Sequence, residues 1–258
     1  IAIEKNSLED AIQEFDRIEY ELSVNFQRLG SKAKRLDTVE RLEVLHDIFR
    51  PEQIGNFNNK LPNGTNSFDY ERIKRERTST KDYICPDSMK FNSKDFLIGD
   101  RYARCEYIGN LPSYMADTFL AKLTDTHFPM ITTISIKAVE PHEAMKIVKH
   151  QILGMESNKI EQQKKAMRAG YDSTMINHNL KLSLDEAEEL LEDLQSRNQK
   201  MFLVSFLVMH MAKTKNDLDK NSEILSSVAR THLCQLLKLG FQQEEAFRQV
   251  LPFGHNLL

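Results

Sequence analysis

The sequence predicts an α+β fold: an N-terminal helical hairpin followed by a ferredoxin-like antiparallel or mixed sheet with helices on one face. Three observations carry this. Before Arg50, apolar residues recur every three or four positions, the period of amphipathic helices. Beyond Lys90, short apolar runs rich in β-branched residues alternate with helical stretches. Their order is strand, helix, strand, helices, strand, helix, strand, which makes two βαβ units.

Ser7 and Asp10 read as the cap of a first helix, Leu8 to Leu29, and Gly30 as its stop. Ala11, Phe15, Ile18, Leu22 and Phe26 give this helix one apolar stripe. A second helix spans Asp37 to Phe49 with Val39, Leu42, Leu45 and Phe49 on a face, and Pro51 ends it. The asparagine-rich stretch from Arg50 to Ser67 reads as a long loop and a boundary, dividing a helical region, 1–66, from an α+β domain, 67–258.

Phe96 to Ile98 and Tyr102 to Ile108 read as a β-hairpin across Gly99-Asp100. A helix follows Pro112, over Ser113 to Leu123. Ile131 to Val139 is a strand, and Pro141 opens a long helix that Gly154 could interrupt. Ser183 to Glu186 forms a capping box for a helix with acids on its outer side. Met201 to Met211 is almost continuously apolar, the pattern of a buried central strand. A helix over Thr214 to Arg230, a short strand over Leu233 to Leu239 and a helix over Gln242 to Val250 complete the order.

Composition narrows the chemistry. With 258 residues, 40% hydrophobic and 28% charged, the chain is globular rather than disordered. Its formal charge of −3 supplies no global positive field for nucleic acid or acidic lipid. No apolar run approaches the roughly 20 residues of a membrane-spanning helix. Cys85, Cys105 and Cys234 form no CxxC pair, and no signal peptide is visible. The nine glycines never lie closer than nine positions, so neither a Walker A loop nor a GxGxxG loop is present. None of the eight histidines has a partner three or four residues away, the spacing of helical metal ligands. The acids from Asp185 to Asp193 read as a solvated helix face. Ser205 and His210 sit on the apolar strand without a base partner, and Cys105 and Cys234 read as small core residues. Local chemistry therefore names no catalytic, cofactor-binding or metal-binding residue. One basic cluster, Arg72, Lys74, Arg75 and Arg77, has Phe68, Tyr70 and Tyr83 nearby, a composition that can hold single-stranded nucleic acid, although Glu71, Glu76 and Asp82 dilute it.

Several segments in order resemble one family. They are Arg35 to Pro51 (RLDTVERLEVLHDIFRP), Ala103 to Leu123 (ARCEYIGNLPSYMADTFLAKL), Leu194 to Ala212 (LQSRNQKMFLVSFLVMHMA) and Leu218 to Asn256 with its closing Leu251-Pro252-Phe253-Gly254. The family is that of the ATPases of conjugative type IV secretion, of the VirB, TrbE, TraC and CagE kind, in the form found on mobile elements of Gram-positive bacteria. In that family the closing segment hands over to a RecA-like motor with Walker A and B motifs, absent from this chain. With the start at Ile1, the resemblance implies an N-terminal domain of a longer protein. It implies a non-catalytic docking and assembly role at the cytoplasmic face of the cell membrane, peripheral to other secretion components and open to self-association. ATP and magnesium would belong to the motor of the parent protein. The alternative expectation is a nucleic-acid-binding module that contacts transferred single-stranded DNA through the Arg72 cluster and Lys159 to Arg168.

Overall fold

A computed structural model describes residues 5–55, 57, 70–77, 79–112, 114–170, 178–197 and 199–254. The architecture is α+β. The helices are α1 (Leu8–Arg28), α2 (Thr38–Phe49), α3 (Tyr70–Glu76), α4 (Thr80–Ile84), α5 (Thr118–Thr124), α6 (Pro141–Arg168), α7 (His178–Ser196), α8 (Lys215–Thr231) and α9 (Gln243–Val250). The strands are β1 (Met89–Phe91), β2 (Phe96–Ile98), β3 (Arg101–Gly109), β4 (Met130–Ala138), β5 (Phe202–Ala212) and β6 (Gln235–Lys238). The chain forms two compact units, Ile1–Thr133 with Phe206–Leu258, and Ile134–Ser205. The division falls inside β4 and β5. Most of the asparagine-rich stretch read as a boundary lies outside the described residues.

The sheet has six strands in the order β1-β2-β3-β5-β4, with β6 also on β3. Five of those strands were expected, β2 and β3 among them as a hairpin; β1 was not. β3 organises the rest. One edge pairs with β5, matching Cys105 to Met209. The other edge is shared: β2 covers Arg101 to Ala103, and β6 covers Glu106 to Gly109. Neither covers the outward backbone groups of Cys105. The side-chain amide of Gln243 does: its Oε1 accepts from the Cys105 N–H at 2.8 Å, and its Nε2 donates to the Cys105 carbonyl at 2.9 Å. A buried glutamine thus stands in for a missing strand residue, because an unpaired buried peptide group is costly.

Both faces of the sheet are covered, where helices on one face were expected. Leu207, Met209 and Met211 of β5 join Phe96, Phe247 and Val250 in one cluster, so α9 closes that side. Phe206 and Val208, on the alternate positions, join Phe119, Leu123, Leu225 and Ala229 beneath α5 and α8. Burial on both sides explains why β5 reads as an unbroken apolar run.

Both N-terminal helices form, but not as a packed hairpin. Asp37 caps α2 through a reciprocal box with Glu40. Leu42 and Leu45 are buried, and Phe49 meets Phe247 edge-on at 5.6 Å. The apolar face of α2 is therefore committed to the core. α1 is capped by Ser7 yet buries no residue.

In the second unit, α6 and α7 enclose Ala144, Val148 and Leu194 together with Val139. Gly154 does not interrupt α6, which runs unbroken for 28 residues. α7 begins at His178, ahead of the expected capping box, so Ser183 is interior. α5 starts at Thr118, later than expected, and Ser113 lies outside the described residues.

Candidate functional site

α1 carries a run of exposed apolar side chains, Leu8, Ile12, Phe15, Leu22 and Phe26. Spacings of three and four put Leu8, Phe15, Ile18, Leu22 and Phe26 on one side, as periodicity requires. The stretch after the helix turns back along it. Arg35 reaches Glu19 at 3.2 Å and Asp16 at 3.5 Å, and Lys34 pairs with Glu40. An open groove of about 340 Å³ results, with Phe15, Leu22 and Phe26 along its floor and Glu19 and Arg35 at its rim. Apolar side chains left on a long, well-capped helix mark a surface suited to a partner. The helix is acidic: six carboxylates accompany two arginines.

In the other unit, α6 carries the opposite charge, with six lysines and arginines against three glutamates. A groove of about 820 Å³ runs along its first half, beside His142, Lys146, Lys149 and His150 and the apolar Met145 and Leu153.

The basic cluster is partly assembled. Lys74 and Arg75 are exposed on α3, and Arg77 follows it in the left-handed region at φ 55°. Arg72 shares the helix, with its side chain outside the described residues. The aromatic partners are not arrayed around it. Tyr83 packs against the cluster of Leu42, Phe57 and Ile73, which takes up its ring in folding. Phe68 and the side chain of Tyr70 lie outside the described residues.

A buried polar network, not assembled from sequence, lies between the sheet and α8. Arg104 donates from Nη1 to Ser222 Oγ at 2.8 Å and from Nε to the Lys94 carbonyl at 3.0 Å, and its Nη2 pairs with Asp219 at 2.8 Å. Asp95 accepts from Lys215 at 2.9 Å and from Asn92 at 2.7 Å. Burial pushes the Asp95 carboxyl up, but the bonds from Lys215 and Asn92 outweigh it and hold the group below its ordinary value. Arg104 likewise holds Asp219 low.

The network ends at His210, which lies 3.2 Å from Ser222 Oγ and 3.4 Å from Glu106 Oε2. Serine, histidine and acid so grouped invite comparison with a hydrolytic triad. The geometry argues otherwise. In a triad the serine and the acid address opposite ring nitrogens. Here both lie at Nε2, and Nδ1 has no hydrogen-bond partner among the described residues. Ser222, His210 and Glu106 are each at most 1% exposed, so no substrate reaches the hydroxyl. The arrangement locks α8 onto the sheet.

The sequence signal for this network was ambiguous. Arg104 and Glu106 alternate with Ala103 and Cys105, the mark of a strand with one face in water. That face meets α8 instead. His210 pairs with Ser222 of α8, 12 residues on, rather than with a group on its own strand.

Cys105 and Cys234 are buried and Cys85 is exposed. Burial and the adjacent Glu106 push the Cys105 thiol far above its usual range, an inert setting for a thiol. Among the described residues, no three His, Cys, Asp or Glu side chains converge to hold a metal ion. Asp185, Glu186, Glu188, Glu189 and Glu192 are exposed on α7, and Asp193 is half-buried. His178 lies at the start of α7 with its side chain outside the described residues, as is all of His255. Among the described residues no helix is long and apolar enough to cross a membrane. No protein-family model and no curated protein matches the chain.

Proposed function

We propose that the chain is the N-terminal docking and assembly domain of an ATPase that energises conjugal transfer through a type IV secretion system. The chain itself is non-catalytic in this reading. ATP and magnesium serve the motor of the parent protein, and the domain works peripherally at the cytoplasmic face of the membrane. One observation carries the reading beyond the sequence resemblance. A 21-residue capped helix, α1, buries none of its residues and holds out an apolar stripe. Such a helix is stabilised further only when another surface covers it.

The test is co-purification with the membrane subunits of the secretion complex, co-expressed with the chain. Wild type is expected to carry them through purification. A Phe15→Ser/Leu22→Ser/Phe26→Ser variant should lose at least tenfold in capture, because each large apolar side chain contributes about 1.5–3 kcal/mol when buried. Equal capture by both proteins would overturn the reading.

A second reading, contact with transferred single-stranded DNA, is favoured by the exposure of Lys74, Arg75 and Arg77. It requires retention on a DNA column that weakens as salt rises and falls when these three become Ala. Retention unchanged by the substitutions removes it.

A further inference from the structure

We infer that α1 binds a basic amphipathic helix of another protein, the two forming a coiled coil. The inference rests on the reading of α1 as the docking element and names the chemistry of what it docks. The first ground is the seam. Leu8, Ile12, Phe15, Ile18, Leu22, Phe26 and Leu29 follow one another at steps of three and four along one side of the helix. All but the half-buried Ile18 are between 40% and 78% exposed. Such alternation is the seam of a two-helix coiled coil and matches the side-chain rows of a second helix. An extended strand, with its side chains at a period of two, cannot follow it. The seam is about 30 Å long, which calls for about three heptads of partner.

The second ground is charge. Glu14 and Glu21 border the seam on one side and Glu19 on the other. These acids are only partly neutralised from within the chain. Arg17 is shared between Glu14 and Glu21, at 2.6 and 2.5 Å, and Arg35 between Glu19 and Asp16, at 3.2 and 3.5 Å. One arginine on two carboxylates leaves a surplus negative charge on each side, and Lys34, at the rim of the groove, is taken by Glu40. A partner with Lys or Arg at its own flanking positions completes these pairs. The same surplus repels an acidic leaflet and nucleic acid.

The third ground is place. Segments of membrane proteins that lie next to the bilayer on its cytoplasmic side carry an excess of Lys and Arg. A docking helix that works there meets basic partners, and α1 has the charge to receive them.

Binding to the whole chain is measured by fluorescence anisotropy with labelled peptides of about three heptads. One has Leu at the seam and Lys at the flanks, one has Leu at the seam and Glu at the flanks, and one has Ser at the seam and Lys at the flanks. The first should bind about tenfold or more tighter than either of the others. Glu14→Gln/Glu19→Gln/Glu21→Gln should lose the preference for Lys over Glu, and Phe15→Ser/Leu22→Ser should lose binding. Circular dichroism checks that helix content is retained. Should the triple change unfold α1, rising salt reads the same contact in the wild type, weakening the Lys-flanked peptide and not the Glu-flanked one.

No binding of any peptide, or equal affinity for Lys and Glu flanks, overturns the inference. So does equal affinity for Leu and Ser seams, which would leave charge alone. Binding to phosphatidylglycerol vesicles that Phe15→Ser/Leu22→Ser abolishes would make lipid the occupant and overturn it too, as would a mass above the monomer that the same variant abolishes, which would make the occupant a second copy. Subunit capture separates the two readings. Peptides bound alike while capture still depends on the stripe remove the basic helix alone, and a preference for Lys with capture indifferent to the stripe removes the docking role alone.

Discussion

α1 and α8 are near twins by local chemistry and opposites in use. Each begins at a hydroxyl cap whose oxygen accepts from the backbone N–H three residues on, Ser7 from Asp10 and Thr214 from Asp217. Each is amphipathic and has an acid in its first turn. Yet α8 buries Leu218, Ser222, Leu225 and Ala229, while α1 buries nothing. Capping and periodicity decide that a helix forms and which side is apolar. They do not decide what covers that side. The distinguishing residue is Ser222. Its hydroxyl interrupts the apolar face of α8 where the sheet offers Arg104 and His210, so α8 is matched to one surface. The stripe of α1 contains no such polar match and fits any apolar seam.

The comparison can be broken by substitution, and the largest effect belongs to α8. Leu225→Ala is expected to cost about 2–5 kcal/mol, the range for emptying a fully buried leucine site. Urea denaturation measures this as a lower midpoint at unchanged slope. Next comes Gln243→Leu, which leaves the Cys105 N–H and carbonyl without partners. About 2–4 kcal/mol is expected from two buried peptide groups, read in the same way. Asp95→Asn should cost about 1–2 kcal/mol at neutral pH through weaker bonds to Lys215 and Arg104.

The Asp95 site also has a pH signature. Its carboxyl is held low in the folded state, so its contribution is complete above the unfolded value near ~4. The contribution drains as pH falls toward the folded value. Wild type should therefore lose its advantage over Asp95→Asn on acidification, and a constant gap between the two down to pH ~2 would refute the assignment. The smallest effect belongs to α1. Phe15→Ser/Leu22→Ser should change monomer stability by less than about 1 kcal/mol, since surface substitutions move it little. A loss comparable to that of Leu225→Ala would show that α1 is core after all.

Much of the secondary structure was legible because single residues announce it. Gly99 at φ 58° marks the β2–β3 turn, Pro141 opens α6, and Thr214 caps α8. β1, α3 and α4 were missed. They are three to seven residues long, too short for periodicity to rise above noise. The helical hairpin was misread because the stripe of α2 and the stripe of α1 look equally available, and only three-dimensional competition gives Phe49 to Phe247. The buried network was illegible for a related reason. Alternating charge on β3 means solvent unless a helix arrives, and α8 lies more than a hundred residues downstream, with Ser222 118 positions from Arg104. The apolar stripe of α1 was visible from the start, but its lack of cover was not.

Gln243 carries one more implication, for the order in which the protein is made. The peptide group that it completes was synthesised 138 residues earlier. β3 leaves the ribosome well before β5, β6 and the glutamine that fills the gap between its two edge partners. Its charged residues, Arg104 and Glu106, then serve the nascent chain as they later serve the core. They interrupt what would otherwise be a long adhesive edge while it waits. Completion of that edge is thus tied to α9, and a chain that ends before α9 would leave the backbone groups of Cys105 uncovered between β2 and β6.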